Sequence, residues 1–512
     1  MRTWFRSISK SKTGILLILI LLLAASLRLY GLKIQSLWSD ELYSFWLSSF
    51  DNLKDVLIKG IIPDTHPPVY QVILFFVIKL FGNSESALRM PSAISGILAV
   101  WGTFLVGKQL YSEKEGLLGA AIMAVSWSSV YFSQQARSYM LMVFSTVFAV
   151  YFWLKIMACL HEEKKIPINV SLAYLLFAVF SCYVHYFALA FITLQGLLSL
   201  VFFFGKWEKM KCILFIYLII ALAYLPWLPS FIYQFKHSQG NIAWIALWVP
   251  QEIGLFLLDF SGDLSNLLTA IMLLIILIYL SYTILKNFQK RSIPINYFQR
   301  DGRNLPVSPD LLLVLWFVLP VAITYGISIS LKPIFVDRYL LFVLPAGYLL
   351  LARSIFGLPL KAIFKGLLSG LLVGFLFYTL IFTRGYYTTI FTQPFRTVAQ
   401  FINDSNVTDS IVITNEILPY SFEYYFNKMG SNHRVDLRLK GWEADPSEAV
   451  IQVIREDNAE YVWYIKQING PNDVKLKSYL DNSYTLVKYE EFISTWQPGF
   501  DVYLYNTRAA NP

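Results

Sequence analysis

The chain has 512 residues, of which 56% are hydrophobic and only 15% are charged, and its mean hydropathy is +0.53. Soluble globular domains carry about 25% charged residues, so this composition excludes a soluble enzyme. The 40 Phe, 32 Tyr and 14 Trp also exclude an intrinsically disordered chain, because such chains are poor in aromatic residues. The composition therefore predicts an integral membrane protein.

The charge and the cysteine content exclude two further classes. The chain has 42 Lys and Arg against 33 Asp and Glu, a formal net charge of +9. In a membrane protein this excess is explained by basic cytoplasmic loops, so it predicts a lipid bilayer as partner and no nucleic acid. The 3 cysteines lie in or beside apolar runs, which indicates neither a disulfide framework nor a cysteine-rich metal site.

The chain begins with a basic segment before an apolar run over residues 14–27, a pattern that signal peptides share with first transmembrane helices. The run leads into Arg28 without a small-x-small cleavage site, so we interpret it as a helix. Eleven apolar stretches are long enough to cross a hydrocarbon core about 30 Å thick. They lie near residues 13–30, 89–107, 117–134, 139–157, 169–187, 188–204, 211–230, 264–285, 310–330, 336–353 and 362–382. The sequence therefore predicts an α-helical polytopic membrane protein with about 11–13 transmembrane helices.

Basic clusters occur on alternate loops, which marks those loops as cytoplasmic and the loops between them as external. The external loops are then residues 31–68, 133–139, 185–186, 231–262 and 332–339. An apolar run at residues 69–82 is short and carries Lys79, and counting it as a span would invert every later loop. We interpret it as a partly inserted or surface helix, which leaves the C-terminus outside.

The composition changes after residue 382. Charged residues return from about residue 394, and short β-rich runs at 411–414, 461–465 and 502–505 alternate with helix-like segments such as 395–402. The sequence therefore predicts a transmembrane domain over residues 1–390 and a small extracytoplasmic α/β domain over residues 391–512.

The first external loop contains the run LWSDELYSFW at residues 37–46, in which Asp40 and Glu41 precede an amphipathic stretch. Apolar residues over 42–57 share one helical face, which predicts an amphipathic helix lying on the membrane. Two interpretations of the acidic pair remain open. Ser39 caps this helix while both acids complement its dipole, or a carboxylate takes a proton from an acceptor hydroxyl or holds a cation.

The same loop ends in PDTHPPVY at residues 63–70. Proline in the first turn of a helix is common, and His66 could be a simple cap. The other interpretation is functional, because the loop delivers the His66 imidazole and Asp64 to the membrane face that carries Asp40. Tyr70, at the end of the run, is a candidate substrate-binding residue.

Three further polar motifs lie at predicted external ends of spans, namely YFSQQARSY at 131–139, CYVHYF at 182–187 and VDRYL at 336–340. Ionisable residues at membrane depth commonly mark function, although an arginine near a helix end can snorkel to the interface. Arg137 and Arg338 suit a lipid phosphate, because the planar guanidinium binds two phosphate oxygens at once. The other candidate binding residues of these motifs are Tyr139, His185 and Tyr339.

The chain has no Walker-type phosphate loop, GxGxxG, HExxH or CxxC motif. The motifs that usually accompany the use of ATP or nucleotide sugars are therefore absent from the sequence. The motifs that are present occur in the order DE, HPPxY, ALRMPSAISG at 87–96, SxxYxSQQARSY and RYLLFVLPAG at 338–347. This order resembles the bacterial members of the dolichyl-phosphate-mannose-protein mannosyltransferase family, glycosyltransferase family 39. The resemblance covers about residues 10–390 and extends more distantly to the aminoarabinose transferases that modify lipid A.

The resemblance implies the C-type membrane glycosyltransferase fold (GT-C) and transfer of a sugar from a polyprenyl phosphate to an acceptor at the outer membrane face. Asp40, with Glu41 beside it, would be the base that removes the acceptor proton while the anomeric carbon inverts. Because the leaving group is a phosphate, positive charge can replace the acid that glycosidases need, and Arg137, Arg338 and His66 are candidates for it. No cofactor is certain, and a divalent metal near Asp40, Glu41 and His66 remains an alternative.

The implied partners are a polyprenyl-phosphate sugar donor and a protein, lipid or cell-envelope acceptor, with the enzyme in the cell membrane. Two other functions stay open from the residues, a polysaccharide ligase that uses a lipid diphosphate donor and a transporter of lipid-linked glycans. A transporter more often has discontinuous helices in paired halves, and the sequence shows no such symmetry.

Overall fold

The computed structural model of the chain describes residues 11–237, 256, 266–289, 305–331, 333–405, 407, 409–414, 420–431, 434–435, 447–468, 470 and 474–508. The predicted external loop at 231–262 lies largely outside these residues, as does most of the basic N-terminal segment. The residues from Lys286 to Arg303, one of the basic clusters from which the cytoplasmic side is predicted, also lie largely outside them. The chain forms two compact units.

The first unit comprises Met1–Tyr30, Phe50–Gly82 and Ala87–Tyr386 and is helical throughout its described part. The α-helices described up to residue 378 are, in chain order, α1 (Lys12–Leu29), α2 (Ser39–Ser48), α3 (Leu53–Asp55), α4 (Val69–Phe81), α5 (Glu85–Leu110), α6 (Glu113–Val125), α7 (Trp127–Ser133), α8 (Tyr139–His161), α9 (Ile168–Val184), α10 (Tyr186–Phe202), α11 (Trp207–Tyr224), α12 (Leu228–His237), α13 (Asn266–Gln289), α14 (Pro309–Ser330), α15 (Leu344–Gly357) and α16 (Ala362–Tyr378). Short 3-10 or π-helical turns lie at Val56–Ile61, Leu225–Trp227 and Asp337–Val343. Of these, α2 belongs to the second unit, in which α5 also begins.

The predicted membrane spans are mainly helical in their described parts. In the described residues, 8 helical stretches are long and apolar enough to cross a membrane, and the bent pair α6 and α7 makes a ninth. The stretches predicted at 169–187 and 188–204 are α9 and α10, each 17 residues long. The short apolar run at 69–82, which was not counted as a span, is α4. Its 13 residues extend about 20 Å and are too few to span the bilayer as a straight helix.

The bend between α6 and α7 is held by one buried arginine. The two helices meet at 60°, with Ser126 in an extended conformation between them. Arg28 is fully buried at the end of α1 and donates to the last carbonyl oxygens of α6, those of Met123 (3.0 Å) and Ala124 (2.9 Å). It also donates to the hydroxyl groups of Ser129 and Ser133 in α7. Arg28 therefore supplies hydrogen-bond donors to carbonyl groups at the end of α6, which have no partner within that helix, and it also holds the start of α7.

Replacing Arg28 with methionine is expected to lower the free energy of unfolding by about 3–5 kcal/mol, because buried carbonyl and hydroxyl groups lose their donor. Arg28→Lys keeps the charge but offers fewer donors, so an intermediate loss is expected. Thermal unfolding of the purified protein in detergent checks both variants, with the exposed Lys12→Met as control. An Arg28→Met protein that unfolds at the wild-type temperature would contradict this role.

The second unit comprises Gly31–Ser49, Asn83–Ser86 and Tyr387–Pro512. Its remaining helices are α17 (Phe395–Asn403), α18 (Tyr420–Met429), α19 (Ser447–Asp457) and α20 (Val474–Ser483), and its strands are β1 (Ser410–Thr414), β2 (Arg434–Val435), β3 (Tyr461–Gln467), β4 (Thr485–Phe492) and β5 (Phe500–Asn506). The strands form one sheet in the order β2-β1-β3-β5-β4. Strands β2, β1 and β3 are parallel, and β5 runs antiparallel to both β3 and β4.

The predicted helical membrane fold with a small C-terminal α/β part is confirmed. The apolar runs at 411–414, 461–465 and 502–505 all lie in central strands of the sheet, and α17 covers the predicted helix at 395–402. The core of this part packs β1 and β3 against α19 and α20, with Ile411, Val462 and Leu480 each at most 1% exposed.

Two predictions for the loop at residues 31–68 are wrong. The amphipathic stretch over 42–57 is not one helix, because α2 ends at Ser48 and α3 begins only at Leu53, and the two helices belong to different units. Ser39 does not cap α2 either. Trp38 is the capping residue, and Ser39 is the first residue of the helix.

Candidate active site

Three predicted side chains of the first unit form a connected polar network. His66 Nδ1 lies 3.0 Å from Asp64 Oδ2, and His66 Nε2 lies 3.3 Å from Arg137 Nη2. Asp64 and His66 lie in the loop before α4, and Arg137 lies in the loop between α7 and α8. Asp64 is 3% exposed and Arg137 is 4% exposed, so both charges are almost closed off from solvent.

The hydrogen bonds fix where the protons of this network lie. A guanidinium can only donate, so His66 Nε2 accepts from Arg137 and carries no proton. The ring proton then lies on Nδ1 and points at the Asp64 carboxylate. Burial raises the pKa of Asp64, but His66, the backbone N–H of Thr65 and the charge of Arg137 together hold this pKa below its usual value. Asp64 is therefore ionised at neutral pH and lies near the positive charge of Arg137.

For the catalytic role predicted for His66, Asp64→Asn is expected to lower the reaction rate about 10- to 100-fold, because misplacing a positioned group by about 1 Å can cost about 100-fold. The amide can present an N–H to His66 Nδ1, which moves the ring proton to Nε2, where it faces the Arg137 donor. Turnover of the purified protein checks this expectation, with the exposed Asp51→Asn as control. Wild-type turnover in Asp64→Asn would show that the orientation of His66 does not matter.

Arg137 is also held through its backbone. Ser92 Oγ donates to the Arg137 carbonyl oxygen over 2.9 Å, and the Tyr70 hydroxyl lies 2.9 Å from Ser92 Oγ. Because the Ser92 hydroxyl donates its single proton to the Arg137 carbonyl oxygen, the Tyr70 hydroxyl is the donor to Ser92 Oγ. In the structure Tyr70 therefore supports Arg137 through Ser92.

A second group of predicted residues surrounds His185, at the junction of α9 and α10. The rings of His66 and Tyr339 lie 6.0 Å and 5.1 Å from the His185 ring, measured between centroids. Arg338 Nε donates to the Tyr139 hydroxyl over 3.1 Å. The structure thus brings together seven predicted residues of the first unit, namely Asp64, His66, Arg137, Tyr139, His185, Arg338 and Tyr339.

His185 presents a buried donor to this cluster. Its Nδ1 accepts the backbone N–H of Phe187 over 3.2 Å, so the ring proton lies on Nε2. His185 is 4% exposed, and Nε2 has no hydrogen-bond partner in the part of the chain that the structure describes. Buried donors rarely lack a partner. An acceptor oxygen of a bound ligand would satisfy this one.

The predicted acidic pair lies in the first turn of α2, in the second unit. Glu41 is fully buried, and its Oε2 accepts the backbone N–H of Trp38 over 3.2 Å. The helix-end interpretation therefore applies to Glu41. Asp40 is partly exposed.

Two buried glutamines near these loops, Gln234 and Gln135, were missed in the sequence analysis. Gln234 Nε2 donates to the carbonyl oxygens of Ile61 (2.7 Å) and His66 (3.3 Å) and thereby holds the loop that carries His66. Gln135 is 2% exposed, and neither atom of its amide has a hydrogen-bond partner within the described residues. The available signal was a polar amide in otherwise apolar surroundings, in the QQAR run for Gln135 and in α12 for Gln234.

The geometry does not fit a metal on His66. Its Nδ1 faces Asp64, and its Nε2 faces the Arg137 guanidinium 3.3 Å away, so a cation on Nε2 would lie against a positive charge. Among the described residues, no group of three or more His, Cys, Asp or Glu could hold a metal ion.

Comparisons with known proteins agree with the predicted resemblance. Residues 65–230 match the family model of dolichyl-phosphate-mannose-protein mannosyltransferases. A search of curated proteins finds no match. The matched segment contains His66, Arg137 and His185 but not Asp40 or Arg338.

Solved structures of low sequence identity share the fold. ArnT from Cupriavidus metallidurans bound to undecaprenyl phosphate has a TM-score of 0.57 at 12% identity, covering 98% of this chain and 100% of ArnT. The Archaeoglobus fulgidus oligosaccharyltransferase tethered with an acceptor peptide has a TM-score of 0.54 at 13% identity, covering 97% of this chain and 74% of the archaeal one. The predicted resemblance is confirmed: the chain has the GT-C fold of these two proteins, and its residues 65–230 are similar to the dolichyl-phosphate-mannose-protein mannosyltransferase family.

Proposed function

We propose that this protein is a membrane glycosyltransferase that moves a sugar from a polyprenyl-phosphate donor to an acceptor at the outer face of the cell membrane. The family match and the GT-C fold support glycosyl transfer in a membrane. The undecaprenyl phosphate bound to ArnT supports a lipid-phosphate donor. The acceptor is a protein, a lipid or a cell-envelope glycan.

The observation that carries the proposal is the buried Arg137. Arg137 is 4% exposed, its guanidinium is oriented by His66, and its backbone is held through Ser92 and Tyr70. A buried arginine with a fixed direction suits a phosphate, because the guanidinium can donate two parallel hydrogen bonds to its oxygens. Arg338 and the Nε2 donor of His185 are the further candidates for phosphate contacts.

Asp40 is the proposed base. Its carboxylate takes the proton of the acceptor hydroxyl while the acceptor oxygen bonds to the anomeric carbon from the face opposite the phosphate. The bond between that carbon and the phosphate oxygen breaks, and its electron pair leaves with the lipid phosphate. The anomeric carbon is inverted, the proton ends on Asp40, and the added negative charge of the phosphate is stabilised by Arg137.

The outer face is proposed from the distribution of basic residues. Clusters such as Lys164 with Lys165 and Lys361 with Lys365 lie at the opposite ends of helices from the candidate loops. Cytoplasmic loops carry an excess of Lys and Arg, so these ends are assigned to the cytoplasm. The candidate loops and the C-terminal α/β part are then extracytoplasmic.

The test incubates the purified protein in lipid vesicles with radiolabelled polyprenyl-phosphate sugars and a cell-envelope extract. We expect label to move from the lipid to an acceptor with the wild type, and the labelled product identifies the sugar and the acceptor class. Protein without substrate lipid and heat-inactivated protein are the controls. Joining of a lipid-diphosphate oligosaccharide, or its movement across the vesicle membrane without transfer, would overturn the proposal in favour of a ligase or a transporter.

A further inference from the structure

The first turn of α2, which carries Asp40, is held by a side chain from the far end of the sequence. Gln393 Oε1 accepts the backbone N–H of Ser39 over 3.0 Å and its hydroxyl proton over 2.6 Å. Gln393 is 4% exposed, so these bonds are shielded from water. The first N–H groups of a helix have no partner within the helix, and Gln393 supplies one from outside.

Gln393 is itself fixed by the C-terminal part of the second unit. Its backbone N–H donates to Gln497 Oε1 over 3.1 Å, and its carbonyl oxygen accepts the N–H of Phe395 over 2.9 Å. Phe395 is the first residue of α17 and is fully buried against Phe422 and Phe500. The position of Gln393 therefore follows the packing of the α/β core.

The segment before α2 is tied to the segment before α17 by further side-chain bonds. Gln35 Nε2 donates to the Thr389 carbonyl oxygen (2.8 Å), and Gln35 Oε1 accepts the N–H of Phe391 (3.2 Å). Arg396 donates to the carbonyl oxygens of Lys33 (2.8 Å) and Ile34 (2.6 Å). The segment that precedes α2 is thus held against the segment that precedes α17 by hydrogen bonds at several successive residues.

The body of α2 is oriented by α18 in the same unit. The Leu37 backbone N–H donates to the Tyr425 hydroxyl over 2.7 Å, and the Phe45 ring meets the Tyr424 ring edge-on at 5.0 Å. With Gln393 at its first residue and α18 along its side, α2 is held both at its start and along one face within the second unit.

We infer that Gln393 is a positioning residue that sets the direction of Asp40. The C-terminal α/β part, which carries Gln393, thereby contributes to the transfer reaction. The inference rests on the proposed function, in which Asp40 is the base. Asp40 directly follows Ser39, so a first turn that loses its anchor lets the carboxylate leave its reactive position. Misplacement by about 1 Å can lower a catalytic rate about 100-fold.

The test compares Gln393→Met with Gln393→Glu. Methionine keeps the size but offers no strong acceptor, so we expect kcat to fall about 10- to 100-fold while KM for the donor lipid stays the same. Glutamate keeps the acceptor for both Ser39 protons, and an acidic group is favourable at a helix N-terminus, so kcat within about threefold of wild type is expected. The exposed Gln452→Met in α19 is the control for unrelated effects in this unit.

Hydrogen exchange of the Ser39–Leu42 amides separates this inference from the proposed function, because it needs no transfer reaction. Faster exchange in Gln393→Met than in Gln393→Glu is expected at equal unfolding temperatures. Equal exchange and equal kcat in wild type and Gln393→Met would overturn the positioning role. Parallel loss of kcat and of unfolding temperature in both variants would also overturn it, since that is the pattern of a purely structural glutamine.

Discussion

Asp40→Asn is expected to lower the rate of sugar transfer about 1000-fold and to leave donor binding unchanged. General base catalysis contributes about 100- to 10,000-fold, and the amide cannot accept the proton of the acceptor hydroxyl. The substitution keeps the size of the side chain, and Asp40 is partly exposed in the first turn of α2. The loss should therefore appear in kcat and not in stability.

Single-turnover transfer of a radiolabelled sugar measures this loss, and binding of the same donor lipid in the absence of acceptor measures affinity. Asp51→Asn is the matched control, because Asp51 is an exposed aspartate between α2 and α3. Near-normal turnover by Asp40→Asn would show that Asp40 is not the catalytic base. Asp40 would then be a residue that only complements the helix dipole. Glu41→Gln should instead slow transfer less, since the buried amide oxygen can still accept the Trp38 N–H.

The sequence predicts the spans and strands because both depend on local hydrophobicity. Runs such as residues 14–27 must be helical in a bilayer, where every backbone group needs an internal partner. The β-rich runs at 411–414 and 461–465 become neighbouring central strands because they are uniformly apolar and must be buried on both faces.

The partners that depend on distant parts of the chain could not be predicted. Ser39 and Gln393 are 354 residues apart, and no local pattern relates a serine at a helix start to a glutamine before another helix. The break after Ser48 was missed for a related reason. The apolar face continues across the break, but α2 packs on α18 in the second unit while α3 belongs to the first unit.

The candidate site was predictable in its residues and not in its connections. Asp64 and His66 are two residues apart in a proline-rich loop, so their contact is a local property. The contact of His66 with Arg137 spans 71 residues, and it changes the chemistry assigned to the histidine. Because a guanidinium can only donate, His66 Nε2 faces the Arg137 donor, and Arg137 supplies a positive charge next to the histidine.

Arg137→Met is expected to lower kcat for transfer about 100- to 1000-fold. Loss of one buried donor to a developing anion commonly has this effect, and the leaving phosphate gains negative charge as its bond to the sugar breaks. Arg137→Lys keeps the charge but loses the planar fork and the fixed hydrogen bond to His66, so a smaller loss of about 10-fold is expected. The exposed Arg508→Met is the control.

The decisive result is the order of activity among wild type, Arg137→Lys and Arg137→Met. A role of Arg137 in stabilising the phosphate and a role in holding the loop predict different orders. If Arg137 stabilises the leaving phosphate, activity falls from wild type to lysine to methionine, and donors with a better leaving group reduce the difference between the variants. If Arg137 only holds the loop between α7 and α8, lysine and methionine lose activity equally and the leaving group has no influence. That outcome would move the phosphate-binding role to Arg338, whose guanidinium is oriented by Tyr139.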